Sequence, residues 1–118
     1  MNDESADAMD QEVKEAMVGH HFESFQRRFF QDVDPAATLR FETPKDKTPA
    51  CLWLPKGEIW INPAMVSMSP KTCRVLLLHE LIHHKLNFRD GDPDEAEGER
   101  FQGEIKRLFD AGAYAGLL

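Results

Sequence analysis

The chain reads as an α+β protein on three observations. Apolar residues recur at helical spacing near the start, the middle alternates in short β-type runs, and two well-capped helical segments follow. With 118 residues it has the length for one compact domain and is too short for two. Hydrophobic residues make up 42%, which argues against disorder.

Residues 1–9 read as a flexible acidic lead-in, and residues 10–118 as a single domain. From about Asp10 to Phe30, Val13, Met17, Phe22, Phe25 and Phe29 predict an amphipathic helix. His20 and His21 lie on it as partly buried or surface residues. Asp32-Val33-Asp34-Pro35 ends the pattern. Thr38–Glu42 alternates as a strand. Cys51–Leu54 and Glu58–Ile61 flank Pro55-Lys56-Gly57, a hairpin turn in which Gly57 supplies positive φ. Asn62-Pro63 closes the last strand. Ser69 is a natural N-cap and Pro70 a natural first helical residue for a helix to about Leu86. It is apolar nearly all round, so it is expected at the centre of the fold. Phe88–Gly91 is a loop. Asp92-Pro93-Asp94-Glu95 then starts a last helix from Pro93 to about Asp110, followed by a short apolar tail.

The central helix carries His79-Glu80-Leu81-Ile82-His83, an H-E-x-x-H motif. Residues four apart lie about 40° from each other on a helix, so both imidazoles reach one metal ion. The carboxylate between them stands beside the ion, where a general base for an activated water belongs. Without a metal, a buried helix would have to hide these polar groups among Val75, Leu76, Leu78 and Ile82, at a cost of several kcal/mol for an unpaired charge. The motif points to a metallopeptidase.

Catalytic zinc usually takes three protein ligands and keeps a fourth position open. The apolar stripe Phe101, Ile105, Leu108 of the last helix extends backwards to Glu97, the expected third ligand. Glu95 and Glu99 fall on the opposite, solvated face. Asp94 is placed as a partner for a ligating imidazole. Gly98, read as a helix-interior residue, implies close approach of another backbone.

The segment Asp94-Glu95-Ala96-Glu97-Gly98-Glu99-Arg100-Phe101 resembles the D-x-x-H-G-x-x-F segment that follows H-E-x-x-H in SprT-like metallopeptidases. Glu97 stands where that family has its third histidine, which gives a two-histidine, one-glutamate set as in gluzincins. The likeness runs from about Leu52 to Phe109. It implies a compact zincin-like domain with an N-terminal helix, a small twisted sheet, a buried motif helix and a ligand-bearing C-terminal helix. It also implies substrate pairing along an exposed edge strand, assigned to Glu58–Asn62 with Ile59, Trp60 and Ile61 in contact.

Fourteen basic against twenty-one acidic residues give a net charge of −7, a poor match to phosphate backbones, so no nucleic acid is expected. The start lacks a basic, apolar secretory signal, and no stretch has membrane-spanning length. A cytoplasmic monomer acting on protein or peptide is expected. Cys51 and Cys73 match no zinc spacing and are read as free thiols. The reaction expected is peptide hydrolysis on Zn2+ held by His79, His83 and Glu97, with Glu80 as general base. Tyr114 and His84 are oxyanion donors by residue type alone. The competing expectation is a silent or latent zinc-stabilised interaction module whose cleft is blocked by the tail 113–118.

Overall fold

The computed structural model describes residues 3–43, 51–91 and 98–117. Helix α1 (Asp3–Phe29) leads into strands β1 (Thr38–Phe41), β2 (Cys51–Leu54) and β3 (Glu58–Ile61), then helices α2 (Pro63–Met68), α3 (Pro70–Phe88) and α4 (Glu99–Asp110). The α+β class and the three expected strands are present. The first helix begins seven residues ahead of the expected start at Asp10.

The buried face of α1 is Val18, Phe22, Phe25 and Phe29, spaced four, three and four residues apart. Val13 and Met17, expected on that stripe, are each 56% exposed. The five-residue step from Met17 to Phe22 is about 140° of rotation, which takes the earlier residues off the core face.

The sheet order is β1-β3-β2, with β3 parallel to β1 and antiparallel to β2. Leu54 and Gly57 close the hairpin, Gly57 N–H donating to the Leu54 carbonyl at 2.8 Å. Gly57 has φ +100°, and a Cβ there would sit 3.4 Å from His84 Cε1. The conformation therefore favours glycine, while the space alone would admit a Cβ in ordinary contact.

The central position of β3 corrects the expected substrate strand. Its backbone is laddered on both sides, so it has no free edge to pair with a peptide. Ile59 and Ile61 are fully buried in the core. Trp60 points to the other face, where its Nε1 donates to Glu58 Oε1 at 2.8 Å and Arg40 lies over its ring. Among the described residues the edge strands are β1 and β2.

Asn62 ends β3 and at once caps α2, its Oδ1 accepting from Ala64 N–H at 2.9 Å. This short helix was not expected, although Asn62-Pro63 is the same cap-then-proline signal as Ser69-Pro70. Ser69 caps α3 as expected, accepting from Thr72 N–H. Helix α3 is central: Cys73, Leu77, Leu78, Leu81, Ile82 and Leu86 are all buried. Burying each such aliphatic side chain contributes about 1.5–3 kcal/mol.

A polar cluster joins three helices beside this core. Lys85 of α3 pairs with Glu104 of α4, both side chains nearly buried. Arg107 holds the same carboxylate at 2.9 Å and donates to the Phe29 carbonyl of α1 at 3.0 Å. Burial alone would raise the Glu104 carboxyl, but hydrogen bonds from Arg107 and Lys85 outweigh it and hold the group below the ordinary range. A carboxyl lowered in the folded state stabilises above its unfolded pKa of about 4.3 and loses that contribution as pH falls through the folded value. Urea midpoints measured downward from pH 6 should therefore fall more steeply below about 4.3 in the parent than in Glu104→Gln. Parallel profiles would remove Glu104 from the acid response.

Past α4 the chain turns through Gly112 (φ +84°), and Ala113 N–H donates to the Leu108 carbonyl at 2.9 Å. Ala113 is buried, and Tyr114 and Leu117 pack on the core. No helix among the described residues is long and apolar enough to cross a membrane.

A candidate metal centre on α3

His79 and His83 stand one turn apart on α3, with ring centres 5.0 Å apart. Both rings rest on Phe101 of α4, at 4.7 and 4.9 Å between centres. Phe101 is itself fully buried, so it is a fixed floor beneath the pair. Trp53 of β2 stacks on His83 at 6.5 Å and 24°. The two imidazoles are thus set by one helix and held by packing from a strand and a second helix.

This spacing can be tested against a shared ion. Imidazoles on a tetrahedral zinc, with metal–nitrogen distances of about 2.0–2.1 Å, place their ring centres about 5 Å apart. The observed separation fits. Neutral imidazole is also a donor that suits zinc. Among the described residues no group of three or more His, Cys, Asp or Glu side chains is placed to hold an ion. Glu97 and Asp94, the expected third ligand and its neighbour, lie outside the described residues, as do Pro93 and Glu95.

Gly98 does not continue the helical stripe that points to Glu97. Its backbone is extended, with φ −79° and ψ −155°, and it is the N-cap of α4. The helix starts at Glu99, so helical spacing from Phe101 does not run back through Gly98. The glycine is at a helix start rather than in an interior, where capping glycine is common. Glu99 is exposed, as its expected face requires.

Glu80 is half-buried on the same turn as the two histidines. It lies within electrostatic reach of Cys51, the first residue of β2. Burial first, then the Glu80 charge and Cys73, push the Cys51 thiol far up. Burial pushes Cys73 up to about 11. Both cysteines are free and buried, and both stay protonated at neutral pH, which makes them poor nucleophiles and poor metal donors.

His84 has a different task from the one its residue type implied. It is fully buried, and the indole N–H of Trp53 donates to its Nδ1 at 3.2 Å. Indole only donates, so Nδ1 is the acceptor and Nε2 carries the proton. Nε2–H then donates to the Pro35 carbonyl at 2.6 Å. Burial lowers the His84 pKa, opposed by the Pro35 bond, and the ring is neutral. With both nitrogens engaged, His84 fixes Trp53 and the loop before β1 and is not available as an oxyanion donor. Tyr114 is half-buried at the tail, its hydroxyl pKa raised by burial.

Sequence reasoning missed Trp53 and Phe101 as parts of the site. From the sequence Phe101 reads as a core residue, and Trp53 reads equally as hairpin packing or as a substrate contact. No local signal separates a core aromatic from one that supports a ligand.

A scan against protein-family models finds no match, and neither curated proteins nor solved structures show a detectable relative.

Proposed function

We propose that this chain is a zinc-dependent metallopeptidase of SprT-like or minimal gluzincin type, in a zincin-like fold. The observation that supports this most is the pair of imidazoles 5.0 Å apart on one helix face with a carboxylate on the same turn. His79, His83 and Glu97 would hold the ion. When bound, the ion makes water acidic and polarises a carbonyl. Glu80 would serve as the general base toward the attacking water and then as the proton donor to the leaving amine. Trp53 and Phe101 keep the imidazoles in place, which limits the reorganisation needed when substrate arrives.

The substrate is a protein or peptide in extended form. Edge strand β2 carries Trp53 and Cys51 on the face turned to the motif helix, so it replaces β3 as the strand on which a peptide main chain would pair. The net charge of −7 is a poor match to phosphate backbones, so no nucleic acid is proposed as a partner, and a cytoplasmic setting is part of the proposal.

The test is metal content of the purified chain together with cleavage of an unfolded protein such as casein. One zinc per chain and chelator-sensitive cleavage are expected. Zinc without cleavage of any unfolded substrate favours a zinc-stabilised interaction module instead. Chelation should also lower the melting temperature, because an ion that binds only the native state stabilises it by mass action. Unchanged melting at full chelation would remove the metal site.

The third ligand has its own test. Glu97→Ala should cost most of the zinc affinity, and Glu99→Ala almost none. Glu97→His should restore binding in part by recreating the family's donor. Equal loss in the two alanine variants would exclude Glu97 as the ligand, and full retention in Glu97→Ala would move the role to Asp94.

A further inference from the structure

The strongest unexplained feature lies away from the motif. Between α1, the first turns of α3 and the turns after α4 is a cleft of about 250 Å³. Two arginines, Arg28 and Arg74, and one histidine, His21, line it, with Phe29, Ala113 and Leu117 as apolar wall. No carboxylate among the described residues lines it, although the chain carries a net charge of −7. Arg74 Nε is buried and makes no hydrogen bond. Neither arginine forms an ion pair with a described residue; Arg28 only lies over the Phe29 ring at 4.9 Å.

A guanidinium N–H kept from water without a partner is costly, and such groups are usually paired, while the half-buried Arg74 side chain as a whole stays within reach of a ligand. Here the partner is missing at the wall of a concave site. The positive charges reinforce one another. Burial first, then the Arg74 charge and His20, hold His21 below the ordinary histidine value, so its ring is neutral and able to donate one hydrogen bond.

We propose that this cleft binds a small organic carboxylate with a short apolar body. The forked guanidinium of Arg74 matches a carboxylate, with Arg28 adding charge at the rim. Phe29, Ala113 and Leu117 receive the apolar part. The volume is below the usual range of about 300–1,000 Å³ for drug-sized ligands, which selects a small molecule or a single terminal residue of a peptide. Arg74 lies five residues ahead of His79, about 140° around α3, so this site does not depend on the peptidase reading.

The probe is N-acetyl-leucine, compared with N-acetyl-leucine amide and inorganic phosphate. Calorimetry gives the affinities, and the Arg74 Nε–H resonance reports the contact in the parent chain. Saturable binding of the acid, a shifted Nε–H signal and at least ten-fold weaker binding of the amide are expected. Arg74→Gln should lose at least ten-fold in affinity, and Arg28→Gln should lose less. Lys106→Gln, at an exposed i,i+4 pair on α4, should match the parent. Arg74 has no hydrogen bond to lose, and circular dichroism confirms that its variant folds. Absence of saturable binding, equal affinity for the amide, or full affinity in Arg74→Gln would overturn the site. Phosphate binding as tightly as the acid would overturn the organic carboxylate assignment.

Discussion

Glu80→Gln should retain zinc and fold while losing about 10²- to 10⁴-fold in peptide cleavage, the usual contribution of a positioned general base. The substitution keeps shape and hydrogen-bonding reach but cannot accept a proton at neutral pH. Glu80 is half-buried on the turn that carries both imidazoles, so its position is set by α3 and survives the change. The variant should therefore match the parent in zinc stoichiometry. A second readout comes from Cys51, whose thiol is pushed up by burial and by the Glu80 charge. Removing that charge should lower the thiol pKa only in part, because burial is the larger cause. Labelling of Cys51 by a thiol reagent should still be slow in the variant. Cleavage at the parent rate with the metal retained would mean that Glu80 is not the base.

The local pattern was legible wherever short-range chemistry decides it. Gly57 at positive φ, Ser69 as cap and the alternation of Glu58–Ile61 each depend on a few neighbouring residues. Strand order was not legible. The parallel pairing of β1 with β3 joins residues about twenty apart, and nothing in either strand says which neighbour it takes. Placing Glu58–Ile61 at an edge because it precedes the motif helix therefore failed. Two fully buried isoleucines on that strand were compatible with a central position from the start. Asn62-Pro63 was read as the end of a strand, but a capping residue followed by proline also begins a helix. The same ambiguity attended Gly98, taken as interior and found as a cap. At the site, the i,i+4 spacing of His79 and His83 gave their convergence directly. Their surroundings, Trp53 from thirty residues earlier and Phe101 from eighteen later, arise only in the folded chain.

Phe101→Ala should be among the most damaging single changes in the core, and its effect should separate packing from ligand support. The ring is buried against α3, and truncating a core Phe costs about 3–5 kcal/mol. Chemical denaturation of the metal-free chain measures that loss. The same ring floors both imidazoles at 4.7 and 4.9 Å. Without it, His79 and His83 gain rotamers that do not converge, and zinc affinity should fall about 10-fold or more, as when groups orienting a ligand are removed. Leu108→Ala is the control. Leu108 is fully buried on the same helix, and its loss should cost about 2–5 kcal/mol. No ring contact links it to either histidine, so zinc affinity, measured by chelator competition where both variants are folded, should stay near the parent value. If Phe101→Ala and Leu108→Ala bind zinc equally well, the imidazoles are held by α3 and Trp53 alone. If both weaken zinc by the same factor, the loss reflects stability, and Phe101 has no special part in holding the ligand pair.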